Sequence, residues 1–306
     1  MTQPVSQRPR NDTRRLLDNQ RSEVVIADMG SGTTTVIYDS NQLIEAPNWS
    51  ADGKWLVFNA DGRLFRLSPD GLEGPHRILT APIENANNDH VLSPDGRLIY
   101  ISSNDGHIYK CPFEGGTPER VSHDLEASRN YRFYLHGISP DGAQLTYVGL
   151  ERRSDKSIMT RIATIPASGG AATHLTDGSC PVDGPEYSPD GQWIYFNSEA
   201  VAKRPGHAQI FRMRIDGSGV EQMTHDERVN WFPHISPDGQ TMAYISFPTG
   251  VEGHPADCDV IIRTMPANGG LSRDIDQFNG GQGSINVPSW APDSQRFAYI
   301  RYPFEG

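Results

Sequence analysis

Cysteine is scarce: Cys111, Cys180 and Cys258 are widely spaced and include no C-x-x-C pair, which points to neither a disulfide framework nor a thiolate zinc site. No run approaches the roughly 18 consecutive apolar residues of a membrane-spanning helix, so no membrane span is expected. Positive charge is in deficit, with 27 Lys plus Arg against 38 Asp plus Glu and a formal net charge of −11. That balance argues against nucleic acid as a partner. The chain also lacks G-x-S-x-G, and its GGQGS string at 280–284 lacks the G-x-G-x-x-G spacing of a phosphate-binding loop. Residues 1–21 hold Arg8, Arg10, Arg14, Arg15 and Arg21 but only one adjacent apolar pair, Leu16-Leu17. No apolar segment follows Arg14-Arg15, as an export signal requires. This stretch reads as a mobile N-terminal arm, and the chain as written reads as cytoplasmic.

What is plentiful is Gly (30) and Pro (23), about one residue in six against an average near 12%. Much of it sits in a repeated turn. SADG at 50–53, SPDG at 93–96, 139–142, 188–191 and 236–239, and APDS at 291–294 recur at steps of 43, 46, 49, 48 and 55 residues. Pro sets φ at the second turn position, Asp bonds its own backbone, and Gly accepts positive φ. Each turn leads into an apolar run: WLVF, LIYI, LTYV, WIYF, MAYI or FAYI. These runs do not alternate with polar residues, so they are expected to be buried on both faces.

A second, Gly-rich turn lies between successive copies, as in PFEGGTPERV, PASGGAATHL and PANGGLSRDI. Each unit is therefore four strands, a to d, with the Ser-Pro-Asp-Gly turn joining a to b and the Gly-rich turn joining c to d. Six such units predict an all-β, six-bladed β-propeller in one domain over residues 22–306. The first c–d pair (22–39) precedes the first a–b pair, whereas the chain stops after the sixth strand b. The N-terminal strands must then pair with the C-terminal strand and close the ring.

The repeat unit resembles the TolB-type, WD40-like (PD40) propeller repeat over residues 22–302. That resemblance implies a six-bladed propeller, and for TolB itself a periplasmic role with lipoprotein and Tol partners. Similar repeats occur in oligogalacturonate lyases, whose propellers hold a metal with channel histidines, and in prolyl-oligopeptidase-type peptidases. The peptidases need a hydrolase domain for which this chain has no room.

Strands counted outward from the axis put the a–b and c–d turns on one face, where all are short. The opposite face carries enlarged b–c loops in blades 3 to 5 (ERRSDKSIMT, SEAVAKRPGHAQ and PTGVEGHPADCD) and long d–a connections. Loops longer than closure requires are where function collects. Strand a begins on that face, at the mouth of the central channel. The residues just before the turn are apolar: Trp49, Leu92, Ile138, Tyr187, Ile235 and Trp290 read as core. One or two positions earlier stand Asn48, His90, His136, Glu186, His234 and Ser289.

His90, His136, Glu186 and His234 are thus candidate ligands of a divalent metal in the channel, with His254, Asp257 and Asp259 as candidate additions. Two alternatives stand beside the metal. One is a polar ligand without metal, and the other is separate structural hydrogen bonds, because His90 and His136 lie one residue out of phase with Glu186 and His234. Arg132, Tyr134, Gln282 and Asn286, on the long d–a connections, would suit a polyhydroxylated ligand. His123 and His225 recur after strand d and read as turn caps. The expected function is a binding module for a protein, peptide or saccharide on the loop-rich face. The alternative is a metal-assisted lyase or hydrolase acting on an acidic carbohydrate.

Overall fold

The structure is a computed structural model that describes residues 14–125 and 130–305; the remainder of the expected arm, and part of the connection into blade 3, lie outside these. The chain opens with a hairpin of β1 (Ser22–Asp28) and β2 (Thr33–Ser40). Five four-stranded antiparallel sheets follow. Blade 1 is β3 (Ile44–Trp49), β4 (Leu56–Ala60), β5 (Arg63–Leu67) and β6 (His76–Ile78). Blade 2 is β7 (Ala86–Leu92), β8 (Leu98–Ser103), β9 (Ile108–Pro112) and β10 (Glu119–Arg120). Blade 3 is β11 (Tyr131–Ile138), β12 (Gln144–Arg152), β13 (Ile158–Pro166) and β14 (Thr173–His174). Blade 4 is β15 (Val182–Tyr187), β16 (Trp193–Ser198), β17 (Gln209–Arg214) and β18 (Glu221–Gln222). Blade 5 is β19 (Val229–Ile235), β20 (Thr241–Phe247), β21 (Cys258–Pro266) and β22 (Arg273–Gly280).

Blade 6 is assembled from both ends of the chain. β1 lies between β2 and β23 (Arg296–Arg301), paired antiparallel from Glu23↔Arg301 to Asp28↔Arg296. This is the closure expected from the phase of the repeat. No helix among the described residues is long and apolar enough to cross a membrane.

The turn chemistry explains why the unit repeats. In blades 1 to 5 the Ser hydroxyl (Ser50, Ser93, Ser139, Ser188, Ser236) donates to the turn Asp at 2.5–2.7 Å and accepts the N–H of the residue five positions on. These bonds hold Asp52, Asp95, Asp141 and Asp190 below the usual carboxylate range. In blade 6, Ala291 has no hydroxyl to offer, and the innermost strand shrinks to one bridge, Trp290↔Phe297.

The strand b runs are buried, as their lack of alternation predicts, except at the first residue of three of them, where Trp55, Leu98 and Trp193 are partly buried. Core clusters cross from blade to blade: Trp49 packs with Ala298 and Ile300 of blade 6, and Trp290 with Val229 and Phe247 of blade 5. Ile138, expected in the core, is only partly buried. The caps after strand d also differ from expectation. The preceding hydroxyls of Ser122, Thr176 and Thr224 accept the N–H groups of Ile108, Ile162 and Ile210. His123 instead packs edge-on against Phe133, and His225 is exposed.

Residues 14–21, the described part of the expected arm, make side-chain contacts with the propeller. Arg14 pairs with Glu45 at 3.1 Å, donates to the Gln282 carbonyl and lies 4.0 Å over the Tyr302 ring. Gln20 bridges to Phe304 and donates to Asp257 at 2.7 Å. Arg14 lacks apolar periodicity because it is held by charge and a ring face, which a search for hydrophobic pattern does not register.

Candidate functional site at the channel mouth

All five complete innermost strands carry a register shift: Glu45/Asn48, Ala86/His90, Leu135/Gly137, Asp183/Glu186 and Trp231/His234. In three of them the shift is an x-Pro pair whose first residue has positive φ: Ala46 at 57°, Gly184 at 59° and Phe232 at 54°. For a residue as bulky as Phe232 this region is sparsely populated, and it persists only where the surroundings impose it. A bulge re-aims the side chains beside it. The shift in β11 takes in His136 itself, whereas His90 follows the shift in β7 and stays one residue out of phase with Glu186 and His234.

His136 is the centre of the arrangement. Its Nε2 faces Asp183 Oδ1 at 3.0 Å, and its Nδ1 faces the Asn286 carbonyl at 3.2 Å. Both partners are acceptors, so both nitrogens donate and the ring is an imidazolium. Burial opposes that charge, but Asp89 and then Asp183 overcome it and push His136 up to about 9. Asp89, buried and bonded by Asn87 at 2.9 Å, is raised to about 6 by burial, with His136 pulling the other way. Asp183 also accepts Gly184 N–H at 2.8 Å, and His254 stands 3.8 Å from its Oδ2. Burial raises Asp183, and the His136 bond and charge more than offset this, so it stays below the usual range. Its side chain is 21% exposed, whereas that of His136 is 5% exposed, so Asp183 is the solvent-facing end of the pair.

A second pair lies beside the first. Glu186 accepts from His234 Nδ1 at 2.5 Å and from Ile235 N–H at 3.0 Å, while His234 Nε2 faces the Ile285 carbonyl at 2.7 Å. The d–a connection into blade 6 thus leaves the sheet and crosses the channel: Ser284, Ile285, Asn286 and Val287 are buried, and their carbonyls reach His234 of blade 5 and His136 of blade 3. This detour is also why blade 6 has no full innermost strand.

The expected metal set is not assembled. Among the described residues no group of three or more His, Cys, Asp or Glu is disposed to hold a metal ion. The physical reason is that both ring nitrogens of His136 and of His234 already face protein acceptors, which leaves neither ring a nitrogen directed at a shared metal. His90 is fully buried and faces the Val57 carbonyl at 3.3 Å, and burial lowers it to about 4, so it is a neutral ring between blades 1 and 2. Asp257 and Asp259 turn elsewhere, to Gln20 and Gln277.

The other candidates make local contacts. Arg132 donates to the Asn104 carbonyl at 3.2 Å, and Tyr134, partly exposed, alternates with the buried Phe133 and Leu135 on β11. Gln282 accepts from Asn286 at 3.4 Å. Rings of Trp231 and Phe232 stand 4.5 and 5.1 Å from His254. Asp89 and Asp183 escaped sequence reasoning. The signal was present for Asp183, which precedes an x-Pro pair just as Glu45 does.

These features define a closed six-bladed propeller of WD40-like repeats whose channel mouth holds buried His–carboxylate pairs. The PD40 model, the TolB beta propeller domain, matches residues 137–261. The uncharacterised protein Atu1656 of Agrobacterium fabrum is 40% identical over 288 residues, 93% of each chain. A solved structure from Agrobacterium tumefaciens that carries the TolB name provisionally superposes with a TM-score of 0.85 at 40% identity, covering 93% of this chain and 99% of that one. The chain belongs to the TolB-like β-propeller family. Tol-Pal system protein TolB of Francisella tularensis is 23% identical over 88% of this chain, which spans 59% of that relative's length. An oligogalacturonate lyase in complex with manganese shares 13% identity over 84% of this chain and 67% of its own, with a TM-score of 0.53. That likeness is one of fold alone.

Proposed function

We propose that the chain is a binding module that holds a polypeptide segment of a protein partner at the channel mouth. The observation that carries this reading is Asp183, a carboxylate kept ionised by the buried His136 imidazolium yet partly open to solvent. Fixed, preorganised charges of this kind orient a polar ligand at little cost on binding. The enlarged loops of blades 4 and 5 add a rim, where Arg204 and Lys203 pair with Glu227 and Thr249 donates to its carbonyl. Relatives named for the Tol-Pal system support a protein as the partner class.

The test is selection of displayed random dodecapeptides on the wild-type chain, followed by calorimetric titration of the selected sequences. Asp183→Asn and Tyr134→Ala are each expected to weaken binding at least tenfold while the chain still melts cooperatively. Peptides that bind both variants as tightly as wild type would place the site elsewhere and sink the proposal.

A further inference from the structure

On the opposite face, where every turn is short, a cleft of about 470 Å³ opens between blades 4 and 5. Its lining includes Trp193, Tyr195, Arg212, Asp238 and Asn268. Cross-strand pairing puts Arg214 opposite Trp193 and Arg212 opposite Tyr195, and both guanidinium carbons lie over the Trp193 ring, at 3.8 and 4.2 Å.

Blades 1 and 2 show the same position filled. Trp55 follows its turn as Trp193 does, and Phe113 follows its Pro as Ala267 does. There the Arg66 guanidinium lies 4.8 Å from the Trp55 ring and 5.6 Å from the Phe113 ring, and Phe113 is buried. Between blades 4 and 5 the second ring is replaced by Ala267. Tyr195 stands where blade 1 has Val57 and takes the deeper part of that space, its hydroxyl donating to the Ala267 carbonyl at 2.9 Å. It forms a floor and leaves the cleft open above.

We propose that this cleft docks one aromatic side chain of a partner polypeptide, its ring meeting the Arg212 guanidinium that lies over Trp193, as Phe113 meets the Arg66 guanidinium that lies over Trp55. A guanidinium already resting on an indole offers its other face to a ring in preference to an aliphatic chain. The chain's own first 13 residues contain no Phe, Tyr or Trp, so they do not supply the ring. This site is independent of the channel mouth.

The experiment titrates the full chain with N-acetylphenylalaninamide and, separately, N-acetylleucinamide, following the Trp193 indole N–H by NMR after its assignment with Trp193→Phe. A saturable shift is expected with the aromatic probe, and binding at least tenfold weaker with leucine. Arg212→Gln is expected to weaken the aromatic probe about tenfold. The double variant Tyr195→Val/Ala267→Phe rebuilds the blade 1–2 combination and is expected to abolish binding by filling the cleft from within. If that variant does not fold, Arg212→Gln decides. No saturable shift, equal affinity for the two probes, or undiminished binding by Arg212→Gln overturns the proposal. Self-association of the wild type that Phe304→Ala removes would identify a second copy, through its exposed Phe304, as the occupant and overturn the assignment to a partner.

Discussion

His136 makes the stability of this propeller depend on pH in a window that few other groups reach. Its folded value of about 9 stands above the roughly 6.5 of an exposed histidine, a difference worth about 3 kcal/mol. Because the folded value is the higher one, this stabilisation is present in full below pH ~6.5 and is lost as pH rises through about 9. At about 2.1 cal/mol/K per residue, a chain of 306 residues has an unfolding entropy near 0.6 kcal/mol/K, so the loss corresponds to a fall in Tm of about 5 °C. Asp89, raised to about 6, loses its own contribution at lower pH, between ~4 and 6, and does not obscure the window. The perturbation is the double variant His136→Gln/Asp89→Asn, which removes the cation without leaving Asp89 as an unpaired buried carboxylate. Differential scanning calorimetry from pH 6 to 9.5 should show the Tm of the wild type falling with pH and that of the variant nearly flat. If both lose the same Tm across the window, His136 does not carry the charge assigned to it.

Removing residues 1–40 should strip β1 and β2 from blade 6, bare the edge of β23 and produce aggregation, whereas a soluble fragment that melts cooperatively would refute closure by these strands. Removing only residues 1–20 should still lower Tm by a few degrees in a thermal melt, because Glu45 loses Arg14 and Asp257 loses Gln20; an unchanged Tm would count against those contacts. Trp290→Ala should cost about 3–5 kcal/mol in denaturant unfolding, since it empties an inter-blade site and removes the indole bond to the His234 carbonyl, and a cost below ~1 kcal/mol would contradict that packing.

Much of the architecture was legible because its causes are local. A Ser hydroxyl, an Asp and a Gly within four residues make a turn that folds the same way wherever it occurs. Uninterrupted apolar runs after each turn demanded burial on both faces, and LTYV and MAYI received it in full. The channel face was legible only in part. Chain length betrayed the enlarged loops, but the identity of a side chain does not reveal what its polar atoms will meet. His90, His136 and His234 look alike in sequence, yet one is a neutral wedge and two face acceptors on both nitrogens.

What the sequence by itself determined is therefore the six units, the phase that closes the ring and the face on which polar residues gather. These depend on turn chemistry and hydrophobic pattern, which act over a few residues. Only the tertiary structure decided that residues 284–287 cross the channel, that their carbonyls occupy the nitrogens a metal would need, and that Asp183 is the open carboxylate. His136 meets Asn286 across 150 positions of chain and Asp183 across a blade boundary. Such partners are chosen by the closure of the ring, which brings opposite blades within hydrogen-bonding distance only after every blade is in place.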